Sequence, residues 1–497
     1  MSADGSINQL RPETEDLSPS AQAMNRYLEG NHDLKQPHVA THVEGLLGLQ
    51  PLSMKGRKLA QEGRPVVQQG AGDIAELGKP INDELRAWME EIRNTTMDPK
   101  TNKLVFPRVT GELFDYEARY IPQFPTLGLI AKSYGINDSF RGTQLNGGRT
   151  VIDLVTQALI VRWRQTQQGN SKVAVILDPL AWPGYKDLYK DINELIGFDF
   201  IQGVHAPIVE GHGLAMTAEG VRAAHEFAQS IGRDVIGITP IVPSNPTGKG
   251  MGAEEMQKTV EFGADHNIPT VIDGLYAPIA PQGQKKVLHL EELAETLSPE
   301  AMQYLGVITG VTKATSSIKK TAEIFWNMPK GADDKNQVGT GIMDQVHARM
   351  TNRNLYPAPD HALGTLALHT FPSGVHAALG ERYIALEATR QAVRDIFDQL
   401  EIPFENGGSF YGTAALANPS TKETYIREAD GRPVTDPRKI ANTLLDRYDL
   451  IGAQGAMFSP AEMANSMLRL SAAATPKDID RLGNILADMK HSAEKHG

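Results

Sequence analysis

The chain has 497 residues, of which 40% are hydrophobic and 22% are charged, and its formal net charge is -11. This composition is typical of a globular protein with a sizeable core, and the length favours two or three structural units. The negative charge argues against nucleic acids and anionic membranes as partners, because both require a basic face, and the lack of cysteine excludes disulfides and thiolate chemistry.

The first 30 residues are polar and rich in Ser, Glu, Asp and Asn, which is more typical of an arm or a disordered leader than of a packed element. The opening residues have no apolar core of the signal-peptide type, and no run of about 18 apolar residues occurs in the chain. We therefore expect a cytoplasmic protein that does not bind membranes. In HVATH, His38 and His42 lack a third ligand in view, so no metal site is predicted.

Short β-branched segments alternate with amphipathic helical segments in the middle of the chain. The predicted strands are 172–177, 234–242, 268–274 and 304–312. The helices between them are predicted over 217–233 and 253–267. This alternation predicts a mostly parallel sheet with helices on both faces, and such sheets bind ligands at the carboxyl ends of their strands.

A different pattern begins beyond about residue 355 and indicates a separate α+β lobe. A long helical pattern comes first, followed by a Gly-rich turn and a mixture of short elements. The predicted elements are helices over 375–400, near 436–449 and from about 477, and a strand over 467–473.

Polar residues follow three successive predicted strands. VPSNPTGKG places Asn245 after the first strand, VIDGLYAP places Asp273 and Tyr276 at the end of the second, and GVITGVTK places Lys313 at the third. The first segment is not a P-loop, because Pro243 stands where that motif needs glycine and no Ser or Thr follows the Gly-Lys pair.

Each of these residues also has an ordinary structural interpretation. Asn-Pro and Thr-Gly are common in turns, a lone Asp is often a helix cap, and most lysines are solvated. A buried carboxylate is costly unless a cation meets it, so Asp273 is also suited to hold a protonated ring nitrogen. The occurrence of all these groups at one edge of the sheet favours a ligand site.

With these motifs in this order, the chain resembles the fold type I enzymes that depend on pyridoxal 5'-phosphate (PLP), and among them the class I/II, aspartate aminotransferase-like family. SNPTG resembles the family's Asn-Pro-Thr-Gly motif, DGLY its Asp-x-x-Tyr motif, and GVTK a form of the segment with its Schiff-base lysine. Further matching segments are VVQQGAGD, RYIPQFP, LNGGRT, AWPGY and MLRLSAA. The resemblance extends over roughly residues 60 to 490.

The resemblance implies an α/β fold, in which a large domain has a mostly parallel seven-stranded sheet flanked by helices and a smaller domain is α+β. It implies an N-terminal arm (1–30), a first part of the small domain (31–100), a large PLP-binding domain (101–355) and a C-terminal small domain (356–497). A homodimer with shared active sites is also implied, because Tyr120 resembles the tyrosine that reaches the cofactor phosphate of the neighbouring subunit.

The resemblance assigns roles around the cofactor ring. Lys313 would bond to the cofactor and later serve as the catalytic base. Asp273 would pair with the ring nitrogen, and Asn245 and Tyr276 would donate to the ring oxygen. Trp182 would stack on the face of the ring.

Other roles concern the cofactor phosphate and the substrate. Asn146, Gly147 and Gly148 would precede or open a helix whose first amides offer a nest for the phosphate. Arg469 resembles the arginine that binds the substrate's α-carboxylate, and Gly72 resembles part of the flexible segment that closes on it.

Two positions depart from the family's pattern. An arginine for the phosphate usually follows eight residues after the lysine, but here that position is Thr321, preceded by Lys319 and Lys320. A lysine could bind the phosphate instead, and Lys320 is our candidate, but it would supply a point charge and not the planar fork of an arginine. The usual Ser three residues before the lysine is Gly310. The hydroxyl groups that remain nearby are those of Thr312, Ser316 and Ser317.

The reactive lysine and the reaction each have an alternative. SSIK would nominate Lys319, but Lys313 directly ends the strand and GxTK is a form that the family uses. The expected reaction transfers an amino group from an α-amino acid to a 2-oxo acid; β-elimination, decarboxylation, cyclisation and oxidation stay open for the same cofactor. A DNA-binding regulator is disfavoured, since residues 1–60 contain six Lys/Arg against seven Asp/Glu.

Overall fold

The computed structural model of the protein describes 13 stretches of the chain. These are residues 18–30, 33–69, 83–87, 125–136, 140–166, 172–280, 284–314, 321–328, 338–357, 365, 373–407, 409–473 and 475–496. Three of the candidate site residues, Gly72, Tyr120 and Lys320, lie outside the described residues, as does the alternative Lys319.

The strands are short and, in the large sheet, mostly apolar. They are β1 (His38–Val39), β2 (Val67–Gln68), β3 (Phe140–Leu145), β4 (Val173–Leu177), β5 (Ile201–His205), β6 (Asp234–Thr239), β7 (Thr270–Asp273), β8 (Leu305–Gly310), β9 (Ala322–Asn327), β10 (Phe404–Asn406), β11 (Tyr411–Ala415), β12 (Leu450–Ile451), β13 (Ala453–Gln454) and β14 (Met467–Ser471).

The helices are named in the same way. They are α1 (Pro19–Leu28), α2 (Leu49–Gln61), α3 (Pro125–Ser133), α4 (Gly148–Thr166), α5 (Gly184–Ile196), α6 (Ala218–Ser230), α7 (Ala253–Asp265), α8 (Gln284–Leu288), α9 (Leu290–Thr296), α10 (Pro299–Met302), α11 (Val338–Arg353), α12 (Ser373–Leu400), α13 (Pro437–Tyr448) and α14 (Pro476–His496). Within the described residues, no helix is long and apolar enough to cross a membrane.

The large sheet has eight strands in the order β1-β5-β4-β6-β7-β8-β9-β3. The five strands from β5 to β8 in this order run parallel, whereas β9 pairs antiparallel with both β8 and β3. The implied α/β fold with a mostly parallel sheet is therefore confirmed. The eighth strand is the short β1, which joins the edge antiparallel to β5.

Helices cover both faces of this sheet, as the predicted alternation requires. On β4, Ala174 and Ile176 belong to one buried cluster, which includes Val221 of α6 and Met256 of α7. Val175, on the opposite face, belongs to a second cluster that contains residues of α4, α5 and α11. Because apolar clusters cover both faces of the sheet, the strand ends are where polar side chains can form a site.

The prediction that the leader lacks a packed element is wrong for Pro19–Leu28, which form helix α1. Ser18 caps this helix, and Met24, Tyr27 and Leu28 are buried on one side of it. The Tyr27 hydroxyl donates to a backbone carbonyl 436 residues away in sequence. The helix could not be predicted from the polar composition of the segment, because only a few of its residues form the buried apolar face.

A second, four-stranded sheet in the order β10-β11-β14-β13 belongs to the C-terminal part of the chain. Phe397 of α12, Phe404 of β10 and Leu482 of α14 share its core. Strand β2 pairs with β12, so a segment near residue 67 joins this part of the structure. The domain boundaries themselves stay a prediction.

The SNPTG segment forms a closed turn beyond β6. The Ser244 N–H donates to the Lys249 carbonyl at 2.7 Å, and the Gly248 N–H donates to the Ser244 carbonyl at 2.8 Å. Gly248 has a φ of +72°, and a Cβ added to it would lie 2.3 Å from the carbonyl oxygen of Tyr411. Only glycine therefore allows this turn to approach β11 so closely.

We expect Gly248→Ala to lower the free energy of unfolding by about 1–3 kcal/mol, because the added Cβ meets both a strained φ and a backbone oxygen. Urea denaturation measures the change. Gly250→Ala is the matched control, since nothing lies within 4 Å of its added Cβ. We expect the control to change stability by less than about 0.5 kcal/mol, and equal losses in the two variants would contradict the prediction.

Candidate active site

The ends of β6, β7 and β8 bring four of the predicted site residues together. The Asn245 side-chain amide donates to the Tyr276 hydroxyl at 3.0 Å, and both residues are buried. The Lys313 Nζ atom lies 5.3 Å from the centroid of the Tyr276 ring. Asp273 ends β7, and its backbone N–H and carbonyl bond to the segment that follows β6. An amine, a carboxylate and two polar donors therefore share one edge of the sheet.

Asp273 is a buried carboxylate, only 3% exposed, with two hydrogen-bond donors. The Tyr185 hydroxyl donates to its Oδ2 at 2.7 Å, and the Leu275 N–H donates to its Oδ1 at 3.2 Å. Burial raises the pKa of Asp273; the two hydrogen bonds and the charge of Lys313 oppose that rise. A cation beside the carboxylate would lower this pKa and stabilise the ionised form.

Tyr185 was not among the predicted site residues, although it stands in the AWPGY segment. Its ring lies edge-to-face with Trp182, with 5.8 Å between the centroids. Trp182 is partly buried and rests against Gly184, where a Cβ would lie 2.2 Å from the indole. This glycine lets the indole lie close to the start of α5, and Tyr185 then reaches Asp273 from the same turn.

Arg469 is buried in β14, 4% exposed, and contacts Asn245 and two aromatic rings. Its Nη1 donates to the Asn245 Oδ1 at 2.8 Å, and its Cζ lies 4.2 Å from the centroid of the Tyr411 ring and 5.5 Å from that of Phe458. Because the Asn245 amide in turn donates to Tyr276, a chain of hydrogen bonds joins the two sheets. The Arg469 guanidinium is thus linked through Asn245 to Tyr276, whose ring the Lys313 amine also approaches.

Helix α4 begins at the predicted glycines. Gly147 has a φ of +90°, and a Cβ on Gly148 would lie 2.4 Å from a methyl group of Leu275. A Cβ on Gly310, which ends β8, would lie 2.9 Å from the other methyl group of Leu275. Leu275 therefore packs between the start of α4 and the end of β8, two residues beyond Asp273. The exposed Asn146 precedes this helix start.

Thr321, at the position of the family's phosphate-binding arginine, provides a hydroxyl and no charge. It is fully buried and shares a hydrogen bond with Thr365. The Thr312 hydroxyl donates to the Thr321 carbonyl at 3.5 Å, so the residue before Lys313 lies beside the residue that precedes β9.

A second buried acid, Asp178, lies at the end of β4 and was also not predicted. It is 3% exposed, and its Oδ1 accepts the Ile241 N–H at 3.4 Å. Burial raises its pKa to about 8, and the nearby charge of Asp273 acts in the same direction. Asp178 is thus mostly protonated at neutral pH, whereas a carboxylate that binds a cation is ionised.

Solved structures that are similar to the chain include several aminotransferases. Aspartate aminotransferase from Rhizobium meliloti has a TM-score of 0.60 and 16% identity, covering 90% of this chain and 98% of its own. Alanine aminotransferase from Pyrococcus furiosus has a TM-score of 0.60 and 14% identity, covering 88% and 97%. Aspartate aminotransferase from Thermus thermophilus with maleate has a TM-score of 0.59 and 13% identity, covering 96% and 100%. No protein-family model and no curated protein sequence matches the chain.

The fold is accordingly that of the type I PLP-dependent enzymes. Within it, the architecture is aspartate aminotransferase-like, as the resemblance of the motifs predicts, with the sheet order and the second, smaller sheet described above. The similarity covers nearly the whole length of the neighbouring chains, at identities of 13–16%.

Proposed function

We propose that the chain is a PLP-dependent aminotransferase that transfers the amino group of an α-amino acid to a 2-oxo acid. The observation that carries the proposal is the meeting of the Lys313 amine, the buried Asp273 carboxylate and the bonded Asn245–Tyr276 pair at one sheet edge. Arg469 adds a guanidinium bonded to the same asparagine. These are the groups needed to hold PLP and an amino acid together.

The chemistry of these residues fits the cofactor. Asp273 is buried and accepts hydrogen bonds from two uncharged donors, and a protonated pyridine nitrogen would supply the opposite charge. Asn245 and Tyr276 carry an amide and a hydroxyl, both able to donate to the ring oxygen. Trp182 offers a partly exposed aromatic face for stacking.

When bound, PLP supplies an aldehyde that links to amines and a ring that accepts the electron pair left at the amino acid's α-carbon. Lys313 would hold the cofactor through its amine and, once released from it, would serve as the base that moves the α-carbon proton in the 1,3-shift that transamination requires. Asp273 would keep the proton on the ring nitrogen. Arg469 would bind the α-carboxylate with a planar fork, and its contact with Tyr411 would fix the plane of that fork.

The wider assignment includes assembly and location. We propose a cytoplasmic homodimer with shared active sites, in which Tyr120 reaches the cofactor phosphate of the neighbouring subunit, Lys320 also contacts the phosphate and Gly72 closes on the substrate. The support for these roles is the resemblance of the motifs. Sedimentation analysis of the purified protein, and mixing of inactive Tyr120→Phe and Lys313→Ala chains to restore some activity, would test the shared site.

The decisive experiment is an absorbance titration of the PLP-loaded protein with a panel of amino acids. We expect a band near the visible edge that changes on addition of an accepted amino acid under nitrogen, with one 2-oxo acid formed per site. A second 2-oxo acid should then restore the band. Release of carbon dioxide or free ammonia would instead indicate decarboxylation or elimination, and the absence of any band would contradict PLP binding.

We expect Arg469→Gln to lower kcat/KM for an amino acid by about 10- to 150-fold, because the variant loses a charge-assisted bond to the α-carboxylate. The kcat/KM of Arg469→Lys should lie between those of Arg469→Gln and the native enzyme, since lysine keeps the positive charge but lacks the planar fork of donors. Steady-state kinetics with an amino acid and with its decarboxylated amine measure the effect. If Arg469→Gln preserves the native preference for the amino acid over the amine, the assignment is wrong.

A further inference from the structure

A PLP enzyme must balance the charge of the cofactor phosphate, which carries about -1.5 to -2 at neutral pH. The chain has no arginine at position 321, and the threonine there is buried against Thr365. The hydroxyl proton of Thr150, in the first turn of α4, is not directed toward a phosphate in front of the helix, because the hydroxyl donates to the Asn146 carbonyl at 3.0 Å. The start of α4 thus needs a positive group from elsewhere.

Arg149 is such a group. It is the second residue of α4, directly after the glycines that open the helix, and it is exposed. Its Cζ lies 5.4 Å from the centroid of the Trp182 ring, which is the ring proposed to stack on the cofactor. The guanidinium therefore already lies near the residue proposed to stack on the cofactor.

The position of Arg149 is electrostatically unfavourable without an anion. The amino end of a helix carries partial positive charge, so a cation in the first turn is repelled. No acidic residue stands in the first turn of α4, and no acidic side chain among the described residues pairs with Arg149. A phosphate in front of the helix would make both the helix amides and the guanidinium favourable.

We propose that Arg149 supplies the charge that binds the cofactor phosphate, in place of the arginine that the family has at position 321. The proposal rests on the proposed function, because it presupposes PLP at this site. It also places Arg149 above Lys320, for which a phosphate contact is proposed above, as the main source of this charge. Arg149 belongs to the helix that forms the phosphate nest, whereas the family's arginine follows the lysine segment.

The test compares the affinity of the apoprotein for PLP with its affinity for pyridoxal, which lacks the phosphate. We expect Arg149→Gln to weaken PLP binding by about tenfold or more and pyridoxal binding by less than about twofold, measured by absorbance titration. Arg149→Lys should fall between. Arg164→Gln is the matched control, because Arg164 lies near the other end of α4 and also stacks on an aromatic ring, at 5.5 Å from Phe200; it should keep both affinities.

Three results would overturn the proposal. In the first, Arg149→Gln keeps the native ratio of PLP affinity to pyridoxal affinity. In the second, it weakens the binding of both ligands equally, which would indicate an effect on ring stacking. In the third, Lys320→Gln and not Arg149→Gln shows the phosphate-specific loss of affinity. Circular dichroism of each variant separates these results from misfolding. If the native protein binds neither PLP nor pyridoxal, the proposed function fails as well. If the native protein binds PLP and Arg149→Gln binds both ligands as the native protein does, the proposed function stands and only this assignment falls.

Discussion

Lys313→Ala is expected to abolish the covalent bond to PLP and to lower kcat/KM by at least about 10⁴-fold, since one side chain serves as attachment point and general base. The Lys313 amine lies over the ring of Tyr276, whose hydroxyl accepts from the Asn245 amide, and it is within the electrostatic reach of Asp273. No other described lysine has this combination of contacts. The loss should therefore be chemical, with little change in folding stability.

Borohydride reduction followed by peptide mass spectrometry identifies the attached lysine directly. In the native protein we expect the reduced cofactor on the peptide that contains Lys313, and none on that peptide in the Lys313→Ala variant. Lys319→Ala is the control, because SSIK is the rival motif and the two lysines are only six positions apart. If Lys319→Ala loses the label and Lys313→Ala retains it, the assignment of the reactive lysine is wrong.

The strand ends were predictable from sequence because their strands are nearly continuous apolar runs. VAVIL and LGVITG contain no charged residue, so their burial follows from composition alone, and Lys313 comes three residues after the second run. The carboxyl ends of such strands lie at one edge whatever the details of packing. Asp273 and Lys313 could therefore be placed together before their contacts were known.

Strand β9 shows why other elements could not be predicted. Its sequence, AEIFWN, contains Glu323, yet every residue of the strand is buried. Glu323 accepts hydrogen bonds from Gln144 at 2.9 Å and Thr309 at 3.1 Å, the residues opposite it on the two neighbouring strands. Burial raises the pKa of this glutamate to about 7. Only strand pairing reveals that the acid is satisfied inside the sheet.

The same reasoning applies to the site. Tyr185 donates to Asp273 across 88 residues of sequence, and Arg149 of α4 lies near Trp182, which precedes α5. Neither contact has a local spacing that sequence could show. The motifs therefore indicate which chemistry is present, whereas the groups that tune it depend on the tertiary structure.

Asp273→Asn is expected to lower kcat/KM by about 100- to 1,000-fold, the effect of removing one preorganised group that stabilises charge in a buried site. Asparagine has nearly the same shape but cannot balance a protonated ring nitrogen. Without that proton the ring accepts electrons poorly, so the α-proton transfer slows while substrate binding changes less. Single-turnover kinetics with an amino acid and PLP-loaded protein measure this step.

Asp178→Asn provides the matched control, because it removes a second buried carboxyl at the end of strand β4, which β6 separates from the strand that ends at Asp273. The pKa of Asp178 is raised to about 8 by burial, so the native group is mostly neutral at pH 7 and asparagine imitates that form. We expect Asp178→Asn to retain nearly native rates at pH 7 and to differ from the native enzyme only above about pH 8, where the native group ionises. Equal losses for the two variants at pH 7 would mean that burial of an acid, and not the charge of Asp273, is what the site requires.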